Sequence, residues 1–434
     1  MWGAHWTIYL EKKGIPGVYI VDEPFGADVR TTCEKEGMAL RCVSIPHPCG
    51  DVTDEQLPEI VAKLISGLTA PLTGEEQFPR PREIERHSRI IWEGSLDDVN
   101  RFFYEKGWTD GLPILPPTEE KVRQMLTGTS HSPGEIVTEN MLPESLTVTV
   151  EKVAIVGAMA GCEPESMPVL LSAVETFGND IFSSTVRSTT SFSFATIVNG
   201  PIAKQIRMNS GINALGSGTG NKANATVGRF LRLAIICLGG SRSGINDMSS
   251  QGNPSKYSFA FAENEDRSPW EPFHVSLGYK PDESVLTIMS GGWSHNGPFW
   301  HADLERIATS IAICELPTGA LVMMDPMSAR KVSEEGYTKQ QAEEFIWSHA
   351  TRTVAEFRDD PFYPAFIEPV LKGKPWYGMK QLWPAQYLNL PPHERVPVFP
   401  RGHIRIVVVG GETNRFTQVW QMARSTPVLI DKWR

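Results

Sequence analysis

The sequence predicts an α/β protein in two parts: a truncated parallel-sheet module at the N-terminus and a larger α+β body with a mixed sheet. Helix-like and strand-like segments alternate over the first 70 residues, and such alternation favours a parallel sheet. The remainder holds amphipathic helices and several apolar strand-like runs that end at paired glycines. At 434 residues the chain exceeds what one hydrophobic core usually holds. We therefore predict a module over 1–70, a linker over 71–89 and a catalytic body over 90–434.

Composition excludes several classes of protein. Hydrophobic residues make up 41% and charged residues 21% of the chain, which is typical of a globular protein with an ample core. Lys and Arg number 41 against 51 Asp and Glu, a net charge of -10, and no basic run is dense enough to follow a nucleic-acid backbone. No apolar stretch approaches the length that spans a bilayer. We expect neither nucleic acid nor membrane as a partner.

Two features bear on location. The start of the chain, Met1-Trp2-Gly3-Ala4-His5-Trp6, lacks the charged and apolar regions of a signal peptide. The six cysteines are scattered with no Cys-x-x-Cys pair, so we expect reduced thiols and no disulfide framework. The sequence therefore predicts a cytoplasmic protein.

The elements of the N-terminal module are short. We predict helices over 6–13, 28–36 and 54–68, with strands over 18–21 and 40–45 between them. The last helix follows the capping pattern Thr53-x-x-Gln56. A complete doubly wound unit needs more strands than these, so we expect the module to be incomplete.

Three runs in this module carry a resemblance: Leu-Glu-Lys-Lys-Gly-Ile-Pro-Gly-Val at 10–18, Asp-Glu-Pro-Phe at 22–25 and Ile-Pro-His-Pro at 45–48. Together they resemble the C-terminal half of the UGSC-motif (seleno)protein family. In that family a loop with selenocysteine or cysteine in a U-Gly-Ser-Cys motif precedes the first of these runs, similar in placement to the redox loops of glycine and proline reductase subunits. That motif is not found in this sequence.

The missing redox loop leaves alternatives open. A separate subunit could supply the other half of the module, or the module could be a remnant that packs against the main body. A selenocysteine codon read as a stop would also produce a chain that starts here. Because an unpaired sheet edge is usually covered, we expect a partner polypeptide that completes the sheet.

The linker and the body follow. Residues 69–89 contain Phe78-Pro79-Arg80-Pro81-Arg82, which cannot propagate a helix. In the body we predict helices over 96–106, 119–126, 167–177, 202–208 and 337–357, and strands over 192–198, 233–238, 256–263, 285–289 and 404–409. The run 233–238 is also compatible with a helix, and the proline-rich stretch 361–400 predicts a packed extended arm.

One cysteine stands out in the body. In the run Gly161-Cys162-Glu163-Pro164-Glu165, an apolar helix stops just before the sulfur and another helix starts shortly after it. A thiol near a helix N-terminus can have a lowered pKa, so Cys162 is our candidate nucleophile, with Glu163 and Glu165 as candidates to exchange protons. The alternative is that Cys162 packs as a small hydrophobic residue.

A glycine-rich loop, 216–229, runs into an apolar helix. Glycines let a backbone approach a ligand closely, and free amides at a helix start attract anions. The loop matches neither a P-loop nor a dinucleotide fingerprint. We predict that it binds a carboxylate or phosphate, the alternative being a plain glycine-rich turn. Its candidate substrate-binding residues are Gly218, Gly220, Asn221, Lys222, Asn224 and Arg229.

Two histidines, His295 and His301, follow a glycine-terminated strand and are candidates for acid–base catalysis, with Asp303 placed to orient an imidazole. With Cys162 they would form a Cys/His set for zinc or iron, but His-x5-His matches no standard ligand motif. The metal and any other cofactor are therefore unassigned. The alternative is that the neighbouring aromatic residues pack and the histidines cap a loop.

Weaker candidates lie in turns and loops. Asp110 belongs to an Asp-Gly turn, and we include it as a second-rank catalytic candidate. Glu263, Glu271 and His274 follow an apolar run and are candidates for acid–base or substrate-binding roles, with Glu271 and His274 assigned to substrate binding. The alternative for the glutamates is solvated surface.

These features predict a cytoplasmic enzyme that acts on a small anionic organic substrate. The UGSC resemblance implies cysteine-dependent reduction or cleavage of a C–S or C–N bond. Without it, a cysteine hydrolase, a hydratase or a lyase with His/Glu acid–base catalysis stays open. A non-catalytic subunit in a complex whose partner carries the redox loop is a further alternative. We expect the protein to be an oligomer.

Overall fold

The computed structural model describes residues 2–47, 49–77, 88–179, 182–300, 303–313, 318–359, 372 and 389–434, of which 293–300 are described by their backbone. The α-helices of these ranges are α1 (Trp2–Glu11), α2 (Gly26–Glu36), α3 (Leu57–Thr69), α4 (Gly74–Gln77), α5 (Leu96–Glu105), α6 (Glu119–Leu126), α7 (Val150–Ala160), α8 (Met167–Phe177), α9 (Ser183–Val186), α10 (Pro201–Gln205), α11 (Lys222–Cys237), α12 (Phe273–Ser276), α13 (Leu304–Ala312), α14 (Pro326–Glu334), α15 (Lys339–His349) and α16 (Val354–Asp359). The strands are β1 (Val18–Asp22), β2 (Arg41–Ile45), β3 (Ile136–Met141), β4 (Leu146–Thr149), β5 (Ser193–Asn199), β6 (Ala260–Ala262), β7 (Val285–Trp300), β8 (Ala320–Met324), β9 (Thr351–Thr353), β10 (Arg395–Pro397), β11 (Ile404–Val408) and β12 (Phe416–Leu429).

The chain forms two compact units, of which the first comprises 1–102 with the short segments 187–189 and 241–248. In this unit β1 and β2 form a parallel two-stranded sheet, which confirms the predicted parallel arrangement. Its small core joins Ala4 of α1, Val21 of β1 and Val29 of α2.

A partly buried arginine, Arg41, organises the end of the first unit. The Arg41 guanidinium donates to both carboxylate oxygens of Glu76, at 2.8 and 2.9 Å, and to the carbonyls of Gly67 and Ala70. The bonds from Arg41, together with those from Thr73, lower the pKa of Glu76 to about 2. Part of the predicted linker is therefore the short helix α4, tied to β2 and to the end of α3. Residues 78–87 of that linker lie outside the described ranges.

The second unit is built on a six-stranded sheet in the order β11-β8-β12-β7-β5-β6. The pairs β11/β8 and β5/β6 are parallel and the others are antiparallel, so the predicted mixed sheet is confirmed. The sheet curls until its two edges approach each other. The amide of Asn264, just after β6, donates to the carbonyl of Val408 at the end of β11, at 2.8 Å.

Alternation of side chains along the strands divides the apolar residues between the two faces of the curled sheet. The inner face joins residues from all six strands, among them Ile197, Phe261, Met323, Val407 and Trp420. The outer face of β8, β11 and β12 packs against α13, α14 and α15. Both faces are covered, which explains why β8 and all but one residue of β11 are apolar.

Several predicted elements differ from the observed ones. Residues 233–238, predicted as a strand, belong mostly to α11, because a short apolar run fits a buried helix as well as a strand. The strand predicted over 256–263 is reduced to β6, and the helix predicted over 337–357 is divided by β9. Within the described ranges, none of the helices is long and apolar enough to cross a membrane.

Candidate functional site

A cleft of about 560 Å³ opens at one end of the curled sheet. It is formed where three segments of the second unit meet: the start of the glycine-rich loop, the segment before β6 and the turn after β11. The residues that line it are Asn213, Ala214, Leu215, Gly216, Pro254, Ser255, Ser258, Phe259, Met323, Asp325, Val409, Gly410, Gly411, Thr413, Asn414, Phe416 and Gln418.

Two glycines allow the walls of the cleft to approach each other. Gly410 has a φ of +103°, which disfavours any residue with a side chain, and its amide donates to the carbonyl of Ser210 at 2.8 Å. A Cβ atom on Gly411 would lie 2.3 Å from Cγ1 of Ile212. The Gly-Gly pair singled out in the sequence therefore serves close contact between the turn after β11 and the loop before α11.

Asparagines hold the glycine-rich loop in shape. The side chain of Asn224 accepts from the amide of Asn209 and donates to its carbonyl, both at 2.8 Å. Asn221 donates to the carbonyl of Asn213 at 2.7 Å and accepts from the Asn209 side chain at 2.6 Å. Asn221 and Asn224 are buried and support the loop from within. Direct contact of these two amides with a substrate stays a prediction.

The carboxylate of Asp325 is the acidic group of the cleft lining. It caps α14 by accepting from the amides of Met327 and Ser328, at 2.9 and 3.0 Å. It also accepts from the amide of Phe416 at 2.7 Å and from the Ser328 hydroxyl. Among the described lining residues none is Lys, Arg or His. The cleft therefore offers hydroxyl and amide groups beside one carboxylate, with apolar surface from Phe259 and Met323.

The basic residues predicted to bind the substrate do not line this cleft. Arg229 is paired with Asp110 through two bonds of 2.8 and 2.9 Å, and it also donates to the carbonyl of Pro113 at 2.8 Å. Lys222 is paired with Glu163. Gly218 and Gly220 lie beyond the part of the loop that lines the cleft. Anion binding by this part of the loop stays a prediction.

Five predicted site residues come together elsewhere, between α11 and the junction of α7 and α8. They are Asp110, Cys162, Glu163, Lys222 and Arg229. Glu165, the third candidate residue of the predicted Cys162 motif, is exposed in a short 3-10 turn. The sequence thus identified residues that meet in space, although their charges largely compensate one another.

The environment of Cys162 differs from the expected one. Gly161 ends α7 in a left-handed conformation, and the Cys162 amide bonds back to the carbonyl of Gly157 at 3.0 Å. The thiol is buried, and burial raises its pKa to about 12. The prediction of a lowered pKa is therefore wrong, because desolvation outweighs the hydrogen bond with Thr226 and the charges of Arg229 and Lys222.

Of the predicted histidine pair, the described residues include the backbone of His295. The backbone of His295 lies in β7 opposite Trp420 of β12, while its side chain and the whole of His301 lie outside the described residues. Asp303 accepts from the amides of Glu305 and Arg306, both at 3.1 Å, and so caps α13. In the described part of the chain, no three His, Cys, Asp or Glu side chains form a group that could hold a metal ion.

A second polar cluster is buried where β5 and β6 end. Asn199 follows directly from the buried residues of β5, and its amide nitrogen donates to Glu263 at 2.5 Å and to Glu265 at 2.9 Å. The same Glu263 oxygen, Oε2, accepts from the amide of Phe273 at 2.6 Å. His274 has no solvent exposure, and its Nδ1 lies 3.7 Å from Oε1 of Glu265.

Burial dominates the chemistry of this cluster. The pKa of Glu263 is raised to about 7, mainly by burial and with a smaller contribution from the charge of Glu265, against the lowering effects of Lys339, the Phe273 amide and Asn199. The Lys339 ammonium donates to the backbone carbonyl of Glu271 at 2.7 Å, so Glu271 enters the cluster through its backbone while its side chain is exposed. Strong shifts of this kind mark candidate functional sites.

The sequence did not predict all residues of the cleft or of the buried polar cluster. It named Glu263 and His274 but not Asn199, Glu265 or Lys339, although a polar residue directly after an apolar parallel strand was a usable signal. The hydroxyl and amide residues of the cleft carried no signal, because Ser, Thr and Asn are common in ordinary loops.

Comparison with known proteins identifies the N-terminal segment only. No curated protein and no solved structure is significantly similar to the chain. The correspondence of this segment to one half of a larger module stays a prediction. The model of the UGSC family matches residues 2–74, so the resemblance of this segment to that family is confirmed.

Proposed function

We propose that this protein is an enzyme that binds a small, uncharged polar substrate in the cleft and acts on it by acid–base chemistry, as a lyase or hydratase. The observation that carries the proposal is the cleft itself. Its volume of about 560 Å³ is within the range of small-molecule sites, which are largely apolar with a few placed polar groups.

The charge of the lining supports an uncharged substrate. The described lining residues include the Asp325 carboxylate and no basic side chain, so a bound anion would meet a like charge without compensation. The cations predicted to hold an anion, Lys222 and Arg229, are paired with Glu163 and Asp110 instead. The anionic substrate predicted from the sequence is therefore less well supported than a neutral one.

The reaction class rests on two further observations. Cys162 does not line the cleft, and its thiol is buried with a pKa of about 12, which weakens the case for thiolate chemistry. The residue proposed for acid–base catalysis is His295, as predicted from the sequence. Its backbone pairs with Trp420 on β12, the strand that contributes Phe416 and Gln418 to the cleft.

A ligand screen tests the proposal. Matched pairs of small molecules, each a carboxylic acid and the amide or alcohol of the same skeleton, are compared by saturation-transfer NMR and thermal shift. Neutral members are expected to bind, and Ser255→Ala and Asn414→Ala in the cleft should weaken binding about tenfold by removing a hydrogen bond. Lys222→Ala is the matched control outside the cleft. Preference for the acids, with binding lost in Lys222→Ala, would overturn the assignment of the site.

Turnover is tested on the ligands that bind. Proton NMR in D₂O reports both addition or elimination of water and exchange of carbon-bound hydrogen, which acid–base catalysis produces. His295→Gln should abolish exchange while ligand binding persists. Ligands that bind without any exchange or turnover would refute the enzyme and leave a binding protein.

A specific observation favours the alternative of a subunit in an assembly. Helix α3 carries an apolar stripe, Leu57, Val61, Ile65 and Leu68, whose side chains are 46–56% exposed. Their spacing places them on one face of the helix. We therefore keep the partner polypeptide and the oligomer as a second proposal. Light scattering after size-exclusion chromatography should show an assembly that Ile65→Glu dissociates, whereas the control Lys63→Glu should leave it intact. A wild-type protein that is monomeric, both alone and with candidate partners, would reject this second proposal.

We also propose the cytoplasm as the compartment. The five cysteines that the structure describes are free thiols, which is typical of a reducing environment. Fractionation of cells that express the full-length protein tests this, and recovery outside the cytoplasmic fraction would reject it.

A further inference from the structure

The two edge strands of the curled sheet meet in a narrow contact that we call the seam, formed by residues 263–264 after β6 and residues 406–410 of β11 and its turn. Asn264 makes two bonds across it, from its amide to the carbonyl of Val408 at 2.8 Å and from its side chain to the carbonyl of Gly410 at 2.9 Å. The amide of Ile406 donates to the Glu343 carboxylate on α15 at 2.8 Å. Because Gly410 lines the cleft, the seam is part of the cleft wall.

Glu263, the neighbour of Asn264, lies in a place where two carboxylates share one donor. Oε2 of Glu263 and Oε1 of Glu265 both accept from the same side-chain nitrogen of Asn199, at 2.5 and 2.9 Å. Two carboxylates this close disfavour ionisation of both. Glu265 is partly exposed and also accepts from the amide of Gly200 at 2.8 Å, whereas Glu263 is buried. The proton is therefore expected on Glu263.

Unsatisfied atoms point the same way. Oε1 of Glu263, Oδ1 of Asn199 and both ring nitrogens of His274 are buried without a hydrogen-bond partner in the described part of the chain. Because Oε2 already accepts two bonds, a proton on Glu263 belongs on Oε1. It would supply a donor to a cluster that has unsatisfied acceptors, whereas the ionised carboxylate supplies none.

The charged groups around Glu263 come from three elements. Glu265 lies on the loop after β6, His274 is on α12, and Lys339 is on α15, where Glu343 lies one turn further along and 3.9 Å from Arg405. The pKa of Glu263 is raised to about 7, with burial as the largest cause, Lys339 opposing it and Glu265 adding to it. The pKa of Glu263 thus lies near neutral pH, because the charge of Lys339 does not offset desolvation.

We propose that Glu263 is a pH-sensitive control of the cleft wall: the protonated carboxyl keeps the seam closed, and its ionisation lets residues 263–264 separate from residues 406–410. Asn264 transmits the change, because it follows Glu263 in the chain and holds Gly410. No new covalent bond is involved, only a proton exchanged with solvent when the seam opens. The proposal concerns the fold and does not depend on what the cleft binds.

Hydrogen–deuterium exchange across pH tests the proposal on the full-length, ligand-free protein. After correction for the intrinsic rate, opening of peptides that cover 263–273 and 406–411 should rise roughly tenfold for each pH unit between about pH 5 and pH 7, then level off. A peptide from α8 is the internal control and should show no such rise. Glu263→Gln, which cannot ionise, should remove the pH dependence in both seam peptides.

A second variant isolates the link across the seam. Asn264→Ala removes the side-chain bond to Gly410 and keeps both Glu263 and the backbone bond from residue 264 to Val408, so the pH dependence should persist in 263–273 and weaken in 406–411. The proposal is overturned if exchange in wild-type 406–411 does not depend on pH, if Glu263→Gln retains the wild-type profile, or if Asn264→Ala leaves both peptides equally sensitive to pH.

Discussion

Replacing Glu263 by glutamine is the most informative single change in this protein. Glutamine has the shape of the carboxyl group and cannot ionise. Its carbonyl can accept the bonds from Asn199 and from the amide of Phe273 that Oε2 accepts now. Its NH₂ group then occupies the position of Oε1, where it can donate to the cluster. The substitution therefore mimics the protonated form without leaving a cavity.

The magnitude follows from the pKa of Glu263. Burial raises it from the ordinary 4.5 to about 7, which corresponds to about 3 kcal/mol at about 1.4 kcal/mol per pH unit. A raised pKa means that the folded state favours the protonated group. The cost of ionisation is therefore absent below about pH 4.5, grows between about 4.5 and 7, and is complete above about pH 7. Glu263→Gln should escape this cost.

Urea unfolding followed by circular dichroism from pH 5 to 8.5 measures the effect. The free energy of unfolding of Glu263→Gln should exceed that of the wild type by up to about 3 kcal/mol above pH 7, and the difference should shrink towards pH 5. Glu165→Gln, at an exposed position, is the matched control and should follow the wild type at every pH. Parallel profiles for wild type and Glu263→Gln would show that this carboxyl group does not titrate as its burial implies.

Three further predictions concern other residues of the protein. Arg229→Ala should lower the free energy of unfolding by about 3 kcal/mol, because it leaves the Asp110 carboxylate buried without its partner. In a urea double-mutant cycle, Asp110→Asn with Arg229→Ala should cost less than the two single changes combined. Gly411→Ala should weaken ligand binding to the cleft several-fold in a thermal-shift titration, because the added methyl group would lie 2.3 Å from Cγ1 of Ile212 on the facing loop. Unchanged binding would contradict that close approach. In the native protein at pH 8, iodoacetamide should label the exposed Cys49 at least tenfold faster than Cys162, because burial raises the pKa of Cys162 to about 12. Peptide mass spectrometry measures the two rates, and equal rates would restore the nucleophile hypothesis.

Local patterns were sufficient to predict much of the fold. The strands β1, β2 and β11 and the helices α6 and α8 lie within a few residues of the predicted ranges, because their apolar periodicity and boundaries are local properties. The parallel module and the mixed sheet were also predicted. The run 233–238 was compatible with either a strand or a helix. Its neighbouring elements determine that most of it continues helix α11.

The candidate sites show where sequence reasoning stops. The grouping of Cys162, Glu163 and Lys222 with Asp110 and Arg229 was only partly foreseeable, since it joins segments far apart in the chain. The sequence indicated the residue types, whereas the protonation and charge pairing of their side chains depend on burial and on which opposite charges lie nearby. Those quantities are properties of packing and cannot be obtained from spacing.

The sequence by itself determined the α/β class, the UGSC-like segment, the excess of acidic residues and the glycine positions at which the chain turns. Only the tertiary structure decided that the sheet curls until β6 and β11 meet, that the glycine-rich loop contributes to a cleft whose described lining holds one carboxylate and no basic side chain, and that Cys162 is desolvated. The physical reason is that periodicity and turn chemistry act over a few residues. Desolvation and charge pairing depend on groups that are distant in sequence, as Glu263 and Asn199 demonstrate.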